Sequence, residues 1–134
     1  MTPQEIFDYV ACHLANQGRK SEDQRGCCYR TDQGDACAVG CLIPDRAYDA
    51  AIEGRSLYKL LDRRKKSLPY NWTEWLEENP WFEKNYPLLF SLQNLHDSTD
   101  WFVSQELFES LFRLVARSHS LSDAILENIV LTKR

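Results

Sequence analysis

Residues 2–18, TPQEIFDYVACHLANQG, read as one complete amphipathic helix with both of its ends written into the chain. Thr2 offers a side-chain oxygen to an orphan amide of the first turn. Pro3 takes the first helical position, where a missing N–H costs nothing, and Glu5 completes a capping box. Ile6, Phe7, Val10, Ala11 and Leu14 recur with the helical period, and Gln17-Gly18 supplies the stop. A helix with one apolar face has to bury it against other elements, so the remaining chain is read for partners of the same kind.

Such partners recur downstream. Ser56 is placed to cap a helix through Leu57, Leu60 and Leu61 to the basic cluster Arg63, Arg64, Lys65 and Lys66, where cations suit a helix C-terminus. Asn71 with Glu74 predicts a short helix carrying Trp72, Trp75 and Leu76, closed by Asn79-Pro80. Pro87 opens another with Leu88, Leu89, Leu92 and Leu95 inward. Residues 104–117 have the strongest amphipathic pattern, with Leu107, Phe108, Leu111, Phe112, Leu114 and Val115 as the stripe. Ser122 caps a last helix buried through Ile125, Leu126, Ile129 and Val130.

The stretch between the first two helices mixes signals. Residues 26–30 suit a short strand and residues 31–35, TDQGD, a turn, which allows a small β-hairpin near residues 27–39. Residues 36–43 fit a helix better: Asp35 can cap it, Pro44 forces Ile43 out of the helical region, and the small residues around Gly40 suit close packing. Glycine costs about 1 kcal/mol relative to alanine inside a helix, so helix 1 or the helix over 89–95 is expected to press on it. Residues 45–54 read as irregular. The expected fold is mainly α: a single helical domain over 1–134, with five or six helices.

With 134 residues, 43% of them hydrophobic, the chain can bury one self-sufficient core. No apolar run approaches the roughly 18 residues that span a bilayer, and MTPQEIFDYV lacks the basic-then-apolar layout of a signal peptide. Five cysteines, an odd number, point to unpaired thiols in a reducing cytoplasm. The net charge of -4 repels phosphate backbones. Neither membrane nor nucleic acid is expected as a partner.

Sequence signatures of chemistry are sparse. Cys27, Cys28, Cys37 and Cys41 lie close in sequence, but the adjacent Cys-Cys pair is poorly spaced for tetrahedral zinc, so no metal is expected and burial is the simpler role. Phosphate-loop, nucleophile-elbow, HExxH and dinucleotide signatures are absent, and no cofactor is expected. His96-Asp97 is the one His-Asp dipeptide, suited to acid–base work. The segment around Trp72, Trp75, Glu78, Trp81 and Glu83 combines large aromatics with carboxylates. That composition suits a binding surface for a basic partner, and these five residues are its candidates; the competing reading is that the rings are aromatic anchors of a helical core.

Residues 29–54, YRTDQGDACAVGCLIPDRAYDAAIEG, and residues 89–97, LFSLQNLHD, together resemble a widespread group of small, uncharacterised proteins of bacteria and their phages. Tyr29, Arg30, Asp45, Tyr48, Glu53, Gln93, His96 and Asp97 match the pattern of that group, which has no assigned activity. The tryptophan-rich stretch 72–81 is this chain's own elaboration. The functional expectation is a non-enzymatic interaction protein of phage or mobile-element origin that binds and modulates, by inhibition, a host protein. The alternative is a small hydrolase or ligand-binding domain whose polar pocket gathers Arg30, Asp45, Glu53, His96 and Asp97 as candidate catalytic groups.

Overall fold

The capping box at the start of the chain forms. Thr2 Oγ1 accepts from the Glu5 amide at 3.1 Å, and Glu5 Oε1 accepts from the Thr2 amide at 2.9 Å. Helix α1 runs over Pro3–Gln17 and stops at Gly18, whose left-handed φ of 69° and close approach to the Thr132 carbonyl both exclude a side chain. The computed structural model describes residues 1–62, 64 and 67–134. Five further α-helices follow among them: α2 (Leu57–Leu60), α3 (Tyr70–Glu78), α4 (Pro80–Lys84), α5 (Tyr86–Ser98) and α6 (Gln105–Ser118). Among the described residues an antiparallel hairpin pairs β1 (Glu22–Asp23) with β2 (Gly26–Cys27), and an isolated bridge joins Arg30 to Ala36. The fold is mainly α with a short hairpin, and no described helix is long and apolar enough to cross a membrane.

The core is the set of faces expected for α1 and α5. Ile6, Phe7, Val10, Ala11 and Leu14 are buried, as are Leu88, Leu89, Leu92 and Leu95, and α1 packs on α5, which packs on α6. Phe7 meets Phe112 edge-on at 5.9 Å, and Phe108 lies 4.5 Å from Phe112. Each such side chain contributes about 1.5–3 kcal/mol relative to exposure. In α6 the buried stripe is Phe108, Phe112 and Ala116, whereas Leu114, expected inward, is 57% exposed.

Four expectations are corrected by the structure. Residues 36–43 form a turn and a 3-10 helix over Gly40–Leu42, not an α-helix. The cause is competition for backbone groups: the Ala36 carbonyl that the Gly40 amide would need accepts from His13 Nε2 at 2.8 Å, the Gly40 amide turns to Cys37 Sγ, and after one α-type bond from the Cys41 amide to Cys37 O the Leu42 and Ile43 amides bond three residues back. Asp35 accordingly caps nothing and instead accepts from Arg19 Nη2 at 3.1 Å. Helix α3 starts at Tyr70 without a side-chain cap, so Asn71 does not open it. The Pro80 that closes it also begins α4. The last helix is a 3-10 segment, Ala124–Asn128, and Val130 is 79% exposed. Of the basic cluster, Arg63, Lys65 and Lys66 lie outside the described residues, while Arg64 pairs with Asp62 at 3.0 Å.

Helix-borne glutamines fasten the irregular segments. Gln4 Nε2 donates to Ser122 O and Gln4 Oε1 accepts from the Ser122 amide. Gln105 holds Ile129 O and the Leu131 amide in the same two-sided way. Gln17 accepts from the Ala36 amide and donates to Arg19 O. In each case a side-chain amide supplies the donor and acceptor that a neighbouring strand would otherwise provide.

Gly40 is pressed upon, but by the 28–54 loop itself and by neither helix. A Cβ at this position would lie 1.9 Å from the Tyr29 carbonyl oxygen. Gly40→Ala is therefore expected to destabilise the protein by about 2–4 kcal/mol, and Arg64→Ala by no more than about 0.5 kcal/mol. Urea melts of the two variants check this, and a Gly40→Ala protein as stable as the parent contradicts the close approach.

Candidate functional site

The 28–54 loop is closed by one carboxylate. Glu53 Oε1 accepts from the Tyr29 amide at 2.9 Å, and Glu53 Oε2 accepts from the Arg30 amide at 3.0 Å and the Tyr48 hydroxyl at 2.7 Å. Arg30 continues the network: its Nη1 contacts Asp45 at 2.7 Å, its Nη2 donates to Ile43 O, and its guanidinium lies 4.7 Å from the Tyr48 ring centre. Asp45 is 97% exposed at its side chain, so that ion pair is a surface one. Burial, and then the bond to Glu53, push the Tyr48 hydroxyl pKa up.

A second fastening joins Ser21, just before the hairpin, to α5. His96 is fully buried, and its Nε2 accepts from the Ser21 amide at 2.9 Å. A backbone N–H can only donate, so Nε2 is the unprotonated nitrogen and Nδ1 carries the proton. Nδ1 therefore donates to Asp97 Oδ1 at 2.7 Å, and Gln93 Nε2 donates to the same oxygen at 3.0 Å. Burial alone would raise the Asp97 pKa, but the bonds from His96 and Gln93 outweigh it and leave the carboxyl below its ordinary value.

The five candidate groups thus fall into two hydrogen-bonded clusters, Arg30 with Asp45 and Glu53, and His96 with Asp97, and do not converge on one pocket. Glu53 and Asp97 line one cleft of about 360 Å³, together with Cys27, Tyr29, Phe90 and Asn94. Glu53 also borders a wider acidic depression with Arg30, whereas Asp45 faces a third with Tyr9 and His13. His96 lines no cavity among those found in the described residues.

Nucleophilic and metal chemistry meet specific obstacles here. Among the described residues, Cys27, His96 and Asp97 place potential ligand atoms within 4.8 Å of one another. His96, however, has one nitrogen accepting from Ser21 and the other carrying a proton toward Asp97, so neither lone pair is open to an ion. Lost hydration raises the pKa of all five thiols, that of fully buried Cys37 to about 12 and that of Cys27, expected to be buried but exposed at the surface, to about 11. At Cys27 the Asp97 charge and the thiol's bond to that carboxylate add to the effect. No thiol is activated as a nucleophile.

Two of the tryptophans expected at a binding surface, Trp72 and Trp75, are instead in the core. Trp72 is fully buried and donates its indole N–H to Leu60 O at 2.8 Å, and Trp75 is 3% exposed. Trp72 stacks on Trp75 at 5.6 Å, and Trp75 meets Trp81 edge-on at 5.8 Å. Trp72 and Trp75 are core between α3 and α4, and the partly buried Trp81 packs against them. Glu78 and Glu83 are exposed, and Glu78 Oε2 lies 3.8 Å from Arg46. Sequence reasoning missed Ser21, Asn94 and Phe90. Ser21 carries no signal at all, but Phe90 does, as an aromatic off the inward face of α5. Comparison with family models, with curated proteins and with solved structures finds no match to this chain.

Two outcomes follow from this geometry. Glu53→Gln turns one acceptor oxygen into a donor facing another donor and is expected to cost about 1.5–3 kcal/mol, against no more than about 0.5 kcal/mol for Asp45→Asn; chemical denaturation compares them. Alkylation of Cys27 by iodoacetamide, followed by mass spectrometry across pH, is expected to show a rate midpoint well above the ordinary 9.0, near 11. Asp97→Asn should move that midpoint down. A parent midpoint below 9.0 contradicts the screening of this thiol.

Proposed function

We infer that this protein is a non-enzymatic interaction module, of phage or mobile-element origin, that acts in the cytoplasm by binding and inhibiting a host protein. The observation that carries the reading is the internal engagement of the catalytic candidates. Glu53 and Arg30 hold the 28–54 loop, His96 holds the Ser21 backbone to α5 with Asp97 bracing its ring, and no thiol is lowered toward reactivity. A general acid or base needs an open lone pair or proton in reach of a substrate, and His96 offers neither. The resemblance of residues 29–54 and 89–97 to small phage and bacterial proteins supports the setting, and the net charge of -4 disfavours nucleic acid.

One observation favours the alternative, a ligand-binding or hydrolytic domain: Glu53 and Asp97 share a cleft. The two readings separate by experiment. Affinity capture of the intact protein from an extract of its host is expected to recover one protein in stoichiometric yield. Failure to recover any such protein, combined with Asp97-dependent hydrolysis of a generic ester or phosphoester substrate, would transfer the assignment to the alternative.

A further inference from the structure

We propose that the outward face of α5 is the docking site for an arginine of a partner protein, seated on the Phe90 ring and against the Asp97 carboxylate. The proposal rests on the interaction reading above and names the surface and the partner chemistry. Phe90 is 54% exposed at mid-helix, where the core does not require it. Phe90, Asn94 and Asp97 stand at i, i+4 and i+7, one stripe of the helix, and all three line the 360 Å³ cleft. On its other side Phe90 borders an apolar groove of about 260 Å³ with Leu111, Leu114 and Val115. A ring between an acidic cleft and an apolar groove suits a cation flanked by an apolar residue.

Charge and geometry select the occupant. Glu53 and Asp97 put two carboxylates in the cleft. Its one lining cation, Arg55, has its guanidinium held by Ala51 O and by Ser67. The bonds from His96 and Gln93 fix the Asp97 carboxylate in place, so little ordering is needed on binding. The chain uses the same pairing internally: Arg30 lies over Tyr48 and contacts the Asp45 carboxylate. Among the described residues no cation of the chain is seated on Phe90. A planar guanidinium, which stacks on rings and pairs with carboxylates at once, fits this vacancy better than an ammonium.

The test titrates the full-length protein with Nα-acetyl-arginine methylamide and, in parallel, with its neutral citrulline counterpart, monitored by amide NMR. The arginine probe is expected to shift the amides of Phe90, Asn94 and Asp97, and the citrulline probe to leave them in place. Phe90→Tyr should retain binding, whereas Phe90→Leu, an exposed change that leaves the core intact, should weaken it about fivefold. Equal shifts from both probes, or an unchanged affinity in Phe90→Leu, overturn the proposal. Host-protein capture that persists undiminished in Phe90→Leu overturns this site while leaving the interaction reading in place. Binding of the arginine probe at Phe90 with no protein captured by the parent supports the cation seat and removes the interaction reading.

Discussion

Three donors converge on the carboxylate of Glu53, and the shape of the 28–54 loop depends on that convergence. The Tyr29 and Arg30 amides face an irregular region with no strand to receive them, and a buried amide without an acceptor costs about 1–3 kcal/mol. Glu53 provides two oxygens at one point, and the Tyr48 hydroxyl fills the remaining capacity. With Tyr29 held there, its carbonyl bears directly on Gly40 and accepts from the Cys37 amide. The turn at Gly40–Leu42, the burial of Cys37 and the seat for α1 follow from this placement.

Helices with their own caps and faces were legible in the chain. Thr2, Pro3 and Glu5 start α1, Ser104 starts α6 with its Oγ 3.1 Å from the Leu107 amide, and the leucines of α5 point inward, because these signals are local and act within one turn. The 36–43 segment was misread because its small apolar residues suit a helix while the Ala36 carbonyl, the first acceptor of that helix, is claimed by His13, a residue distant in sequence. The aromatic stretch of α3 and α4 shows the same limit: composition cannot tell an exposed ring from a buried one, and neighbours settled it. Of the candidate site, the residue identities were visible and their partners were not. Ser21, which fixes the tautomer of His96, stands 75 residues away from it.

Residues that look catalytic in a string can be consumed by architecture. A His-Asp pair has the composition of acid–base machinery, yet here the imidazole is an acceptor for a backbone amide and the carboxylate is its anchor. The distinction lies in what the far nitrogen touches. A histidine whose second nitrogen faces a cavity can exchange protons with a substrate, whereas one that faces a main-chain N–H is committed to holding the chain. The surface chemistry of this protein is therefore left to side chains that the core does not use, and Phe90 and Leu114 are the large exposed apolar ones on α5 and α6.

The glutamines of α1, α5 and α6 shape how the molecule opens. In a β-sheet, breaking one rung weakens the next, so the amides of a ladder become accessible together. Here the amides of Ala36, Val39, Ser122 and Leu131 are each held by a different glutamine, Gln17, Gln93, Gln4 and Gln105. Each can rotate away while the helix that carries it stays formed. In hydrogen–deuterium exchange these four amides would trade their protons through separate small openings, well before the buried turns of α1 and α5, whose exchange requires the core itself to come apart.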